Sequence, residues 1–338
     1  MDIYTGILEK IINNSKKNKM KIVLPESDDK RILEAANIAS KEGIANIILI
    51  GNTSAIEDSS KKYDIVLDKN IVIVDPNTDS NTKLYAEKLH ELRKHKNMSA
   101  EEATNLIYNN IYFATMMVYM GDADGMVSGA NHSTSDTLRP ALQIIKQNEK
   151  VKCVSSFFLM ETHKKEFGSD GLFIFSDCGL NEDPTEEQLQ DIAISSAESF
   201  RTLVGKEPKV VFLSYSTLGS AKSEKIDKIR RVVDSLKERN VDFKFDGELQ
   251  LDAAIIKEVA QTKAPESRVA GEANVLIFPN IEAGNIGYKM AERFGDMLAL
   301  GPVTQGMKKP VNDLSRGSSV EEIVGVIAIT CVQAMNNK

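Results

Sequence analysis

Basic residues are not in excess: 42 Lys and Arg stand against 49 Asp and Glu, a formal charge of −7. A general surface for a polyanion such as nucleic acid is therefore excluded, and any anionic ligand must be met by local basic residues. Cysteine is scarce. Cys153, Cys178 and Cys331 are odd in number, widely spaced and without a CxxC pair, which argues against a disulfide framework or a thiolate cluster and for three reduced, structural thiols. The four histidines, His90, His95, His132 and His163, show no HExxH or other ligand spacing, so no metal site is expected. No apolar run approaches a membrane span, and charges break up the N-terminal MDIYTGILEKIINNSKKNKMK; neither a membrane segment nor a signal peptide is expected, and the location expected is cytoplasmic.

What is present is the composition of an ordinary globular enzyme, 42% hydrophobic and 27% charged over 338 residues, enough chain for two domains. KIVLPESDD, RILEAANIASKEG and ANIILIGN read as a strand, a helix and a strand, one βαβ unit. NIVIVDPN follows as a further strand, and a long helical stretch runs from about Lys83 to Met120 with a break near Asn97 to Ser99. ADGMVSGA is a buried strand that opens onto the polar NHSTSD and the helix TLRPALQIIKQ. A second series begins near Cys153: VSSFFLM, GLFIFSDC, a helix over 185–203, KVVFLSYST, a helix over 223–239, VDFKFDG, a helix around 251–259, NVLIFPN, and the helix NIGYKMAERFGD. A glycine- and proline-bearing region, GPVTQGMKKPVNDLSRG, leads to the final helix SVEEIVGVIAITCVQAM. Such alternation predicts mostly parallel sheets covered on both faces.

Four loops lie between a strand and a helix or open one: NHSTSD, LGSAKS, IEAGNIG and LSRGSS. Ligands of α/β sheets collect at the carboxyl ends of strands, where glycine permits close backbone approach and helix-terminal N–H groups suit phosphate oxygens. Turn chemistry alone also accounts for each loop. In LSRGSSVEEIV, Ser315 and Arg316 sit on the loop while Glu321 and Glu322 fall in the first helical turn. Ser319 with Glu322 has the spacing of a capping box, and Ser318 with Glu321 fits equally well. Arg93, Arg139 and Arg293 are isolated guanidinium forks matched to phosphate or carboxylate, with surface ion pairing as the plain alternative. Arg139 stands out because it precedes Pro140 near the start of a helix.

LPESDDKRILEAA, DGMVSGANHSTSDTLRPALQIIK, FSDCGLNEDPTEEQLQDIAISSAESF, FPNIEAGNIGYKMAERFG and GPVTQGMKKPVNDLSRGSSVEEIV occur in this order. Together they resemble the phosphate acetyl/butyryltransferase family along nearly the whole chain, and within it the phosphate acetyltransferases. The resemblance implies two three-layer α/β/α domains with an interdomain cleft, like isocitrate and isopropylmalate dehydrogenases. Domain one is expected to be discontinuous, 1–147 plus 313–338, with 148–312 as domain two, and the assembly expected is a homodimer. The implied reaction is reversible acetyl transfer between acetyl phosphate and coenzyme A, by direct thiolate attack in a ternary complex. Coenzyme A or acetyl-CoA, acetyl phosphate and inorganic phosphate would be its partners, with no permanently bound cofactor.

By the same resemblance Ser315 positions the thiol, Arg316 polarises the carbonyl and holds phosphate, and Glu322 removes the thiol proton. The substrate- and CoA-binding set implied is Arg93, Ser128, Gly129, Thr134, Arg139, Asn285 and Arg293. The sequence departs from the family pattern at two places: Glu322 stands where Asp is common, and Ser318 replaces a Cys. Phosphate butyryltransferase, with the same chemistry and a longer acyl group, is the nearest alternative, followed by a non-catalytic module that senses acetyl-CoA.

Overall fold

The computed structural model describes residues 6–337, so the opening residues of the N-terminal segment discussed above lie outside it. The chain divides into two compact units, 1–147 with 307–338, and 148–306.

In the first unit the chain runs α1 (Gly6–Ser15), β1 (Lys21–Leu24), α2 (Lys30–Lys41), β2 (Asn46–Ile50), α3 (Thr53–Lys62), β3 (Val72–Val74), α4 (Thr82–Arg93), α5 (Ala100–Ile107), α6 (Asn110–Met120), β4 (Gly125–Ser128) and α7 (Thr134–Ile144). The long helical stretch foreseen before Met120 is thus three helices. A 3₁₀ turn with Asn97 in the left-handed region follows α4, and Asn109 caps α6 by accepting the N–H groups of Ile111 and Tyr112. An asparagine that offers its side chain to the backbone ends one helix and starts another.

The second unit contains β5 (Ser155–Glu161), β6 (Leu172–Ser176), α8 (Glu186–Val204), β7 (Lys209–Leu213), α9 (Glu224–Glu238), β8 (Lys244–Leu249), α10 (Leu251–Ile255), α11 (Lys257–Lys263), β9 (Val275–Ile277), α12 (Ile281–Gly295) and β10 (Leu298–Gln305). The chain then returns to the first unit for β11 (Val311–Asp313) and α13 (Val320–Asn336). The return occurs at Met307 rather than Asp313, because β11 is already paired along β4.

The first sheet, ordered β11-β4-β1-β2-β3, is parallel throughout. β4 is buried along its full length, as a central strand with helices on both faces must be. On one face α13 packs against α1 and α2 and over β1, β4 and β11; on the other, α6 covers β1, β2 and β4 and carries α4, α5 and α7 with it. Gly125 explains how close α13 comes: a Cβ there would lie 2.7 Å from the Thr330 methyl. The second sheet, β10-β5-β6-β9-β7-β8, is parallel from β6 to β8, while β5 pairs antiparallel with both β6 and β10. A loop of ten residues, 162–171 by number, joins β5 to β6, and no crossover helix is needed for antiparallel neighbours.

Candidate active site

In the first sheet the chain order turns back between β1 and β4, and the loops leaving the carboxyl ends of these strands border the crevice where open α/β sheets hold ligands. That crevice is built around one buried carboxylate. Glu26, two residues beyond β1, is 1% exposed. Its Oε2 accepts the N–H groups of Gly129 at 2.7 Å and Ala130 at 2.8 Å, and its Oε1 those of Asn131 at 2.8 Å and His132 at 2.9 Å. Oε1 also meets His132 Nδ1 at 2.7 Å. Five donors converge on one carboxyl group, the pattern an anionic acceptor requires.

Gly129, one of the residues expected in the binding set, gives its N–H to Glu26. Its necessity is conformational: φ is +110°, and a Cβ would lie 2.4 Å from Asp313 Oδ1 and 2.6 Å from the Leu314 nitrogen. Only glycine fits where two backbones meet that closely at positive φ.

A second hub joins this loop to the one after β11. Arg31, held by Asp29, donates to the carbonyls of Ala130 at 3.0 Å, Arg316 at 2.8 Å and Ser318 at 3.0 Å. With the main chain at Arg316 fixed from behind, the Ser315 and Arg316 side chains stand exposed, and the Arg316 guanidinium forms no ion pair among the described residues. Ser315 Oγ accepts the Gly317 N–H at 3.3 Å. Of the two capping boxes the spacing allowed, the structure forms Ser319 with Glu322: Glu322 Oε2 accepts the Ser319 N–H at 2.9 Å, and the Glu322 N–H reaches Ser319 Oγ at 3.2 Å.

Beneath the two loops lies Asp313, 4% exposed. Burial pushes its carboxyl up to about 6; the neighbouring Thr134 and Thr137 hydroxyls and Arg316 oppose the rise, while Glu26 adds to it. Asp313 Oδ1 and Thr137 Oγ1 nevertheless lack a well-aligned hydrogen bond, as do Ser128 Oγ and Ser318 Oγ. These four atoms and Arg93 Nε are the buried polar side-chain atoms without a partner among the described residues. An unsatisfied buried polar group costs about 1–3 kcal/mol. Concentrating four of them around the ends of β4 and β11 marks a place shaped by more than stability.

Arg139 is exposed in the second turn of α7 rather than at its start, and its guanidinium reaches back to Ser135 Oγ at 2.9 Å. Arg93 ends α4. Both guanidinium groups act on the Tyr112 phenol, pulling its pKa down against the rise that burial causes, so the two arginines share a neighbourhood. Thr134 opens α7, capped by Ser133. Asn285 and Arg293 belong to the other unit, on α12: Asn285 donates to the Cys178 carbonyl at 3.2 Å, and Arg293 is exposed beside Glu292. The first unit therefore holds Ser315, Arg316, Glu322, Ser128, Gly129, Thr134, Arg139 and Arg93. Glu26, Arg31, His132, Tyr112 and Asp313 were not singled out from sequence. The available signal was the unbroken apolar strand IVL running straight into PESDD, which sets a carboxylate at a strand's carboxyl end.

Comparison with known proteins gives a consistent result. The sequence profile described as phosphate acetyl/butaryl transferase matches residues 6–331. A curated phosphate acetyltransferase of Thermoanaerobacterium thermosaccharolyticum is 52% identical over 329 residues, covering 97% of this chain and 99% of its own length. A phosphotransacetylase structure from Streptococcus pyogenes superposes with a TM-score of 0.91 at 41% identity, covering 98% of each chain. A 4-hydroxythreonine-4-phosphate dehydrogenase from Klebsiella pneumoniae, at 12% identity and a TM-score of 0.53 over 95% of this chain and 99% of its own, shares the fold.

Proposed function

This chain belongs to the phosphate acetyl/butaryl transferase family, and on that premise we propose that it is a phosphate acetyltransferase, interconverting acetyl phosphate and coenzyme A with acetyl-CoA and phosphate. The observation that carries this reading is the pair of loops tied by Arg31, which presents Ser315 and an unpaired Arg316 guanidinium above the ends of β4 and β11.

The chemistry asks for little more. A thiol of pKa about 8.5 is only a few per cent ionised at neutral pH, a cost of roughly 2 kcal/mol. A positioned base contributes about 10²- to 10⁴-fold, enough to offset it. Glu322 is our choice of base, with Ser315 orienting the thiol and Arg316 polarising the carbonyl and holding the phosphate leaving group. Arg93 and Arg139, which share Tyr112 as a neighbour, are suited to the phosphates of coenzyme A. Ser128, Gly129 and Thr134 belong to the binding set we propose, and the resemblance adds Asn285 and Arg293 on α12 of the other unit.

Coenzyme A enters as substrate, and no permanently bound cofactor is part of the reading. Among the described residues no helix is long and apolar enough to cross a membrane, and the three buried free cysteines suit a reducing cytoplasm. A homodimer is proposed from α12, where Ile286, Met290 and Phe294, at helical spacing of four, are 59%, 53% and 85% exposed. Such a stripe meets its own copy in an isologous contact.

Thioester formation from acetyl phosphate and coenzyme A by the purified chain tests the reading, with butyryl phosphate as comparator. Turnover of acetyl phosphate in preference to butyryl phosphate is expected; the opposite preference moves the assignment to a butyryltransferase, and binding of acetyl-CoA without turnover reduces the protein to a sensor. Glu322→Gln keeps the capping box, since Gln serves at that position, so most turnover should vanish with the fold intact, whereas Glu321→Gln should stay active. The reverse pattern assigns the base to Glu321.

A further inference from the structure

His132, one of four histidines without metal-ligand spacing, is the one side chain among the described residues that hydrogen-bonds the buried Glu26. Because Glu26 Oε1 already accepts two backbone N–H groups and has none to give, the contact at 2.7 Å must be Nδ1–H donating to the carboxylate. The tautomer is thereby fixed, and Nε2 is left as the exchangeable nitrogen. The imidazole side chain is 41% exposed while the Glu26 side chain is fully buried, and Nε2 lies across the ring from the nitrogen that Glu26 holds. His132 borders a cavity of about 370 Å³ in the first unit, also lined by Ser27, Asp28, Asn52, Asn109 and Asn110.

Donors suited to an anion stand close by, together with the acids Asp28 and Asp136. His132 directly precedes Ser133 and α7, whose first-turn N–H groups face the same end of the sheet. Asp136 in that first turn is acted on by both His132 and Arg139, so the imidazole and the Arg139 guanidinium flank one locality. A ring held on one nitrogen by a buried carboxylate, with the other open, is the arrangement by which imidazole gains and loses a proton without moving.

We propose that His132, positioned by Glu26, is the group that exchanges a proton with the phosphate of the acetyl-transfer reaction. The inference rests on the acetyl-transfer reading above and adds to it a second proton-handling residue. In the direction of acetyl-CoA formation, the thiol proton passes to the Glu322 carboxylate and sulfur forms its bond to the acetyl carbon. The carbon–oxygen bond to phosphate breaks, and the departing phosphate oxygen takes a proton from His132 Nε2. Return of the Glu322 proton to the imidazole closes the cycle, so the net change is one proton moved from thiol to phosphate. In the opposite direction Nε2 takes the proton of inorganic phosphate as its oxygen attacks the thioester. Glu26 is a positioning residue in this scheme, because its contact with Nδ1 fixes the orientation and tautomer of the ring.

The decisive substitution is His132→Asn, whose amide nitrogen lies where Nδ1 does and keeps the contact with Glu26 but has nothing in the place of Nε2. With the full chain, turnover should fall about 100-fold, the low end of what a positioned acid or base supplies, while the thermal midpoint stays near that of the unaltered protein. In parallel, ¹⁵N-histidine spectra of the unaltered chain, with His132 assigned by its loss in the variant or by histidine-selective mutation at the other three positions, should show its Nε2 resonance moving as inorganic phosphate is titrated in. A His132→Asn enzyme that retains more than a third of normal turnover overturns the proposal. An Nε2 resonance unmoved by saturating phosphate does the same, and remains decisive should the variant fold poorly. Absence of acetyl-CoA formation by the unaltered chain strikes the acetyl-transfer reading instead, and the phosphate titration then still decides whether His132 meets phosphate.

Discussion

Asp313 and Glu26 are neighbouring acids with opposite environments. Glu26 is surrounded by donors, whereas Asp313 is buried with one oxygen unpartnered and its carboxyl pushed up to about 6. A folded-state pKa raised above the unfolded value of 3.8 means that the folded protein holds the proton more tightly. The contribution of Asp313 is thus most favourable below about pH 4 and is lost as pH rises through about 6. Asp313→Asn should remove that dependence: in urea denaturation the variant gains on the unaltered protein between pH 4.5 and pH 7, by on the order of 2–3 kcal/mol at full effect. An unchanged difference between the two pH values would mean that the unpartnered oxygen is solvated. Little of this was legible in the sequence. Ser315, Arg316 and Glu322 were picked out by the place of LSRGSSVEEIV in a family resemblance, since its spacing alone reads as a helix cap. Glu26 binds groups 103 to 106 residues away, and nothing local to PESDD announces that distance.

At the scale of elements, reading went well where a segment carries its own reason for its shape. KIVL and ANIILI are apolar runs bounded by turns, and α13 begins where its capping box lies. It went poorly where a neighbour supplies the reason. β11 is only Val311–Asp313, and two of its three side chains are polar; it is a strand because β4 lies beside it and because Asn312 is satisfied by Thr330 and Gln333 of α13. The single helix expected around 251–259 is divided into α10 and α11 at Ile256, whose backbone is extended. The join of β4 to α7 is the element-scale feature most open to test. Gly129→Ala would press a methyl into Asp313 and the Leu314 backbone at a φ unfavourable to alanine, so stability should drop by about 2–4 kcal/mol. Denaturant unfolding checks this, and a loss below about 0.5 kcal/mol would show that β11 yields easily.

For the molecule as a whole, alternation of strands and helices sufficed to give two α/β units, while the antiparallel β5, β6 and β10 did not declare themselves. Strand direction depends on connection geometry, and β5 to β6 is a short connection that period and composition do not distinguish from a crossover. The exposed α12 stripe carries the prediction at this scale. Phe294→Glu places a charge at the most exposed of its three apolar positions; light scattering coupled to gel filtration should report a change from dimer to monomer, with the circular dichroism spectrum retained. A variant that elutes as the unaltered protein does removes α12 from the contact.

One consequence reaches back to synthesis. The 148–306 unit is continuous, but the other is closed by a strand and a helix from the last thirty or so residues of the described chain. As the polypeptide leaves the ribosome, the inserted unit is available to fold first, while β4 waits with a bare edge and α1 and α2 wait for α13 to cover them. Premature termination in this final stretch would therefore yield a product with one finished half and one unroofed sheet, a substrate for chaperones and proteases rather than a slightly shortened enzyme.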